Sequence, residues 1–311
     1  MGILIDVILP VFIVIGFGYL AAWRKLISET AIDGLMRFAI NFAIPCLLFL
    51  AISKIDLAAD FNIALFASFY IGAFCGFAFG FLGARYLFKR NLQDCISIGF
   101  CALFSNTVLL GLPIVDRAYG PSSLTSTYAI VSVHALVIYA FGVTLMELAR
   151  AGNSGSGGAL LRQISGSMLT NPILIGILLG YLVNVTGIQL PGALAGAITT
   201  LSTAALPAAL FGLGGTLVRY RPEGDKMTIL WVTAISLILH PSITYVLGKW
   251  VFMLDQAQFR AAVLTAAMAP GINGYLFANM YGAAKRIAAS SVLIATALSI
   301  FTVWVWLAIL P

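Results

Sequence analysis

Charge is what this sequence has least of. Only 9% of its 311 residues are Asp, Glu, Lys or Arg, while 61% are hydrophobic. A soluble domain carries about 25% charged residues, so soluble function is excluded and the chain belongs in a lipid bilayer. Cysteine and histidine are scarce as well. Cys46, Cys75, Cys95 and Cys101 fall in or beside apolar runs without metal-ligand spacing and read as packing residues; no metal is assigned. No H-E-x-x-H sequence and no obvious pair of intramembrane aspartates is present, so no protease chemistry, catalytic residue or cofactor is expected. The formal charge of +6 reads as basic cytoplasmic loops and not as a nucleic-acid surface. The first apolar segment, Ile3 to Ala22, lacks a basic leader and a small-residue cleavage site, so it reads as a retained span and not a signal peptide.

What the chain has in abundance is long apolar segments. A membrane helix needs about 20 such residues. Ten segments qualify, at 3–22, 31–52, 62–88, 94–119, 124–148, 170–186, 192–217, 227–251, 257–282 and 287–310. Alternating sides span by span puts twelve Lys and Arg residues on one face and four on the other, with Arg37 just inside the second span. That asymmetry orients both termini outward, to the periplasmic side of a bacterial inner membrane. Between the fifth and sixth spans, residues 151–158 read "AGNSGSGG", a flexible cytoplasmic linker.

The linker separates two halves that repeat. At an offset of 162 residues Pro10 meets Pro172, "GYL" at 18–20 meets "GYL" at 180–182, Pro45 meets Pro207, and "YG" at 119–120 meets "YG" at 281–282. Six of eleven positions are identical between 10–20 and 172–182, where composition alone predicts roughly one or two. Each half holds an odd number of spans, so the second enters the membrane inverted. Inverted repeats of this kind mark secondary transporters with a midplane site. The expected fold is an all-α integral membrane protein: ten transmembrane helices in two inverted five-helix repeats, 1–150 and 165–311, joined by a cytoplasmic linker at 151–164.

Two spans are interrupted at corresponding places. "SNTVLLGLPI" (105–114) puts Ser105, Asn106 and Thr107 in mid-span, followed by Gly111 and Pro113, and "APGINGYLFANMYG" (269–282) carries Pro270, Gly271, Asn273 and Gly274. Spans four and nine run in opposite directions, so the breaks can cross at the midplane. Each break frees amide donors at a helix start and carbonyls at a helix end, and the donors suit a carboxylate. These nine residues are the candidate substrate site. Asn41, four residues before Pro45, is a further candidate for the cavity wall.

The fourth-span motif, N-T-x-x-x-G-x-P with a terminal Y-G, resembles that of the auxin efflux carrier family, which includes the plant PIN-FORMED carriers and bacterial relatives. "LMRFAINFAIPCLLFLAIS" (35–53) and "GINGYLFANMYG" (271–282) are similar to their second and ninth spans. The resemblance implies an elevator-type carrier of an organic anion, with crossed helices four and nine at the site. Spans 1, 2, 6 and 7 would form a scaffold, often dimeric, and spans 3–5 and 8–10 a moving transport domain. Asn106, Thr107, Gly111 and Pro113 match the family motif directly. Gly274 stands where the plant carriers have proline, and Thr203 where they have aspartate, which argues against auxin itself as the substrate.

No carboxylate lies obviously at the midplane, where a proton relay or sodium site would place one; Asp6 and Glu147 come nearest. His134 and His240 are the proton-linked candidates. The expected activity is movement of a small carboxylate, such as an auxin-like indole acid or malonate, outward down an inside-negative potential. Each 100 mV contributes about 2.3 kcal/mol per charge. The alternatives are a sodium- or proton-coupled organic-acid symporter of the bile-acid type, sharing its crossed-helix plan with NhaA-like antiporters, and, more distantly, a multi-pass receptor. The expected partners are the anion, the bilayer and a second copy of the chain.

Overall fold

The computed structural model describes residues 2, 4–55, 62–151, 171–220 and 222–311. The linker expected at 151–164 falls outside these residues apart from Ala151. Twelve helices are described: α1 (Leu4–Trp23), α2 (Glu29–Ile52), α3 (Ile63–Leu87), α4 (Leu92–Leu103), α5 (Leu112–Tyr119), α6 (Leu124–Ala151), α7 (Pro172–Thr186), α8 (Gly192–Leu217), α9 (Lys226–Val251), α10 (Gln256–Ala266), α11 (Ile272–Tyr281) and α12 (Lys285–Ile309). Seven of them, α1, α2, α3, α6, α8, α9 and α12, are long and apolar enough to cross a membrane. The segments expected at 94–119 and 257–282 are each divided, into α4 and α5 and into α10 and α11.

Polar caps set where helices begin. The side chains of Ser28, Asn62, Asn91, Asn171, Asp225 and Asp255 each accept a backbone N–H of the first turn that follows. Gly187 and Gly282 end α7 and α11 with left-handed φ of 67° and 74°.

Prolines inside the spans do not break them. Pro10, Pro45, Pro113 and Pro241 each sit at the second residue of an α-helical stretch that directly follows a π-helical turn, at Leu4–Ile8, Ala39–Ala43, Thr107–Gly111 and Ile235–Leu239. A proline has no N–H to donate and its ring crowds the carbonyl four residues back. A wider turn just before it accommodates both defects, so the helix continues with a bend.

Glycines set how closely the helices approach. α1 packs along the second half of α8, and α7 along the second half of α2. A Cβ on Gly18 would collide with the Phe211 carbonyl, and one on Gly214 with the Ile15 carbonyl. Between α7 and α2, a Cβ on Gly180 would lie 2.9 Å from the Phe49 carbonyl oxygen. Gly18 against Phe211 and Gly180 against Phe49 are related by the 162-residue offset. A second group of contacts joins α3 to α4, α9 and α10, and α11 to α4 and α12.

At one end of this second group, Arg90 bonds Asp225 at 3.0 Å, and Asp225 also caps α9 and accepts from the Thr228 hydroxyl at 2.7 Å. The Thr228 hydrogen bond, aided by the Met227 amide and Arg90 and opposed by partial burial, holds the Asp225 carboxyl below its ordinary value of 3.8. A depressed carboxyl stabilises the fold above its unfolded value, and the contribution disappears as pH falls through the folded one. Asp225→Ala should therefore lower stability by about 1 kcal/mol at pH 7 through the lost cap. In thermal melts the gap from wild type should narrow below pH 3.8. A gap independent of pH would assign the effect to packing alone.

Candidate functional site

The two breaks meet. Leu103 ends α4, the chain leaves the helix at Phe104–Asn106 with tight turns closed by the Ser105 amide on the Leu103 carbonyl at 3.2 Å and the Thr107 amide on the Ser105 carbonyl at 2.8 Å, and a π-helical turn at Thr107–Gly111 leads into α5. Ser105 and Pro270 face each other as an isolated antiparallel bridge, the only one among the described residues. The Asn106 amide donates to the Ala269 carbonyl at 2.9 Å and the Gly271 amide to the Phe104 carbonyl at 2.8 Å. Both bonds come from residues that flank the bridged pair. Proline is tolerated at 270 because its missing N–H is not called on. In this way backbone that has left its helix, deep in an apolar bundle, is satisfied by the other broken chain.

Asn106 has two tasks. Its Oδ1 accepts the Leu109 amide at 3.2 Å and so caps the restarting helix. An amide N–H needs an acceptor, so this bond fixes the side-chain orientation and directs Nδ2 elsewhere. Nδ2 is buried without any hydrogen-bond partner. An unmatched buried donor costs about 1–3 kcal/mol, so it marks a place where a ligand atom or water belongs.

Asn106 also lines a cavity of ≈400 Å³ beside the crossing. Its walls come from Met36, Ile40 and Ile44 on α2, Ser132, His134 and Tyr139 on α6, Asn171 to Leu174 and Ile177 at the start of α7, and both breaks. Ser105, Asn106, Thr107, Gly271 and Asn273 all line it. Among the described residues no Asp, Glu, Lys or Arg does. Val108, Ile272 and Asn273 also line the cavity, and as leading residues of their helical segments their amides have no partner within the helix. The cavity is thus apolar on most sides and rich in donors at the crossing, an arrangement that can hold an anion by amides and helix starts without a fixed positive charge.

The remaining predicted residues are placed elsewhere. Pro270 is buried in the bridge itself. Gly274 is a packing residue: a Cβ there would lie 3.2 Å from the Cys101 sulfur, so its absence lets α11 lie close on α4. Gly111 and Pro113 are buried past the break and do not line the cavity. Pro113 does not cause the interruption, because the preceding π turn absorbs it; the break falls at 104–106, which contains neither Gly nor Pro. Asn41 is exposed on the outer face of α2, about 100° around the helix from Ile40, while Met36, Ile40 and Ile44 share the cavity face.

The two histidines differ. His240 Nε2 lies 3.2 Å from the Phe69 carbonyl and Nδ1 3.2 Å from the Ser105 hydroxyl. A carbonyl only accepts, so neutral His240 donates from Nε2 and accepts the Ser105 proton at Nδ1. It buttresses the break from behind and lies outside the cavity. His134 lines the cavity, and neither of its ring nitrogens makes a hydrogen bond, although the Ser105 backbone is close by. Phe104, Ser132, Tyr139 and Asn171 are cavity residues that sequence reasoning missed. Only Asn171 carried a signal, as an N-cap residue immediately before Pro172.

Comparison with known proteins agrees with this architecture. A family model described as "Membrane transport protein" matches residues 3–307. The chain is 23% identical to "Uncharacterized transporter YfdV" of Escherichia coli (strain K12), covering 96% of this chain and 95% of that one. It is 25% identical to a "Putative malonate transporter" of Rhizobium meliloti (strain 1021), covering 95% and 92%. It is 23% identical to "Auxin efflux carrier component 8" of Arabidopsis thaliana, covering 91% of each. These relatives are named as transporters or carriers and not as enzymes. With its apolar helices and a match along nearly its whole length, this chain is a multi-pass membrane transporter of the auxin efflux carrier family.

Proposed function

We propose that the protein carries a small organic carboxylate across the bacterial inner membrane by an elevator-type alternating-access motion. The observation that carries this reading is the unpartnered Asn106 Nδ2 beside helix starts at the crossing, next to a cavity with no charged side chain among the described residues of its wall. The carboxylate would accept from Asn106, Asn273 and the leading amides of the two restarting helices, with Thr107 and Ser105 beside it. Its apolar part would lie against α2 and α7.

The packing supports a division into two bodies. α1, α2, α7 and α8 would be the scaffold and α3–α6 with α9–α12 the moving domain, the cavity lying between them. The recurrence of the glycine–carbonyl contact at the 162-residue offset supports two repeats; inverted in a ten-span protein with its basic loops inside, they would leave both termini outside. The cavity reaches Asn171 at the linker end of α7, while further along that helix the Tyr181 hydroxyl donates to Ser132 at 2.9 Å. This fits an inward-facing state closed on the outer side. The small residues and exposed apolar face of α8 suit a homodimer contact in lipid.

A thermal-shift panel of organic acids on purified protein tests the site. At least one carboxylate should raise the melting temperature of wild type and fail to raise that of Asn106→Ala and Asn273→Ala. Stabilisation that survives both substitutions would place the site elsewhere. Flux of the stabilising acid into proteoliposomes then separates a carrier from a receptor, which binds without moving its ligand.

A further inference from the structure

Among the described residues of the cavity wall, His134 is a titratable side chain whose buried ring nitrogens make no hydrogen bond. It is 2% exposed, and both ring nitrogens lack partners. The imidazole is boxed by rings, with Phe104 at 4.9 Å, Phe69 at 5.6 Å and Tyr70 at 6.1 Å between centroids. The titratable groups that face it are Tyr70 on α3, Tyr139 on its own helix and His240 on α9. α2, α7 and α11 present only apolar and amide groups to the cavity. None of these can serve as a counter-charge. A protonated His134 in the empty cavity would be an uncompensated buried cation, which is strongly disfavoured.

A carboxylate in the same cavity meets the complementary problem. The amides at the crossing offer partial charges but no full positive charge. Each species lacks what the other supplies, so binding of the anion and protonation of His134 must favour each other by reciprocal linkage.

We propose that His134 carries the proton that travels with the substrate anion. This rests on the carboxylate site proposed above. In the empty cavity the imidazole is neutral. When the anion enters, one proton from water on the open side adds to a ring nitrogen and the imidazolium pairs with the carboxylate. After the transport domain moves, anion and proton leave to water on the other side and the imidazole returns neutral. One negative and one positive charge move together, so the membrane potential no longer drives a monoanion, and the flux follows the combined proton and anion gradients. This replaces the uncoupled export expected from the lack of midplane carboxylates, because here a histidine occupies the place a carboxylate would have taken.

The test counts protons. Indole-3-acetate and malonate are each added to purified protein in weakly buffered solution with a pH dye, near pH 7, and binding is followed in parallel by thermal shift. Wild type should take up about one proton per anion bound, and His134→Gln, which keeps a donor and an acceptor but does not titrate, should bind with none. Binding by wild type without proton uptake overturns the proposal and leaves the carboxylate site standing. Equal uptake by His134→Gln also overturns it, by placing the proton on the acid or on another group. Absence of binding by both probes and by every other acid of the thermal-shift panel removes the carboxylate site and this proposal with it. Should His134→Gln fail to fold, wild-type proteoliposomes decide. Flux of indole-3-acetate that ignores an imposed 100 mV supports the proposal, and flux that follows it by up to about fifty-fold overturns it.

Discussion

Alanine at Gly18 or Gly214 is expected to lower the apparent melting temperature in detergent by roughly 5 °C, a large loss for a single added methyl. The reason is geometric. Each new Cβ would lie on a backbone carbonyl of the neighbouring helix, Phe211 for Gly18 and Ile15 for Gly214, and a carbonyl cannot rotate aside as a side chain can. α1 and α8 would have to separate, loosening the packing of Val11, Ile15, Ala209 and Leu213. Overpacking of this kind costs about 3 kcal/mol at its upper range, which corresponds to several degrees or more in a chain of this size. Gly16, two residues away on the same helix, has nothing within 4 Å of its ideal Cβ. Gly16→Ala should therefore be neutral, or slightly stabilising through helix propensity. Melts of the three variants side by side settle the matter. Equal behaviour of Gly16→Ala and Gly18→Ala would mean that the helices are not in close contact.

Asn106→Asp should abolish carboxylate binding while leaving the folded protein intact. The substitution is nearly isosteric, and its carboxylate can still accept the Leu109 amide as a cap, at a helix start where negative charge is favoured. What changes is the other atom. The unmatched Nδ2 donor becomes a second oxygen, which repels the anion once the aspartate is ionised; burial opposes that ionisation, so the loss of binding should grow as pH rises. Loss of one hydrogen bond to a charged group is about 1.5–3 kcal/mol, and repulsion adds to it, so affinity should fall by about 100-fold or more. The measurement is ligand-induced thermal shift and proteoliposome flux, with the unliganded melting temperature as the control for folding. If Asn106 served only as a helix cap, the aspartate variant would bind and transport as wild type does. Asn106→Asp and His134→Gln are informative together, since the first removes a donor and the second a proton.

Much of this was legible in the residues. Asn106 and Asn273 stand out because an amide in mid-span is costly unless it finds a partner, and both line the cavity. The pairing of the two interruptions follows from the repeat, and their backbones do bond to one another. Pro113 misled for a definite reason. Proline reads in sequence as a helix breaker, yet a π turn ahead of it restores acceptable geometry, as at Pro10, Pro45 and Pro241. Asn41 misled because its facing depends on the rotation of α2 against α7 and α8, which one strand of text does not record. Gly274 was read as part of a break, whereas its small size serves the contact with Cys101.

Local properties were therefore settled by the sequence itself: solvent, helical state and the sites of polar interruption. Each depends on composition or on neighbours along the chain, where hydrophobicity and backbone chemistry act directly. Only the tertiary structure decided which of the two histidines is satisfied. His240 finds Phe69 and Ser105, residues 171 and 135 positions away in the chain, while His134 lies among rings, the Ser105 backbone and a cavity without a hydrogen bond at either nitrogen. Hydrogen-bond satisfaction depends on groups brought together by packing, and no local pattern encodes that.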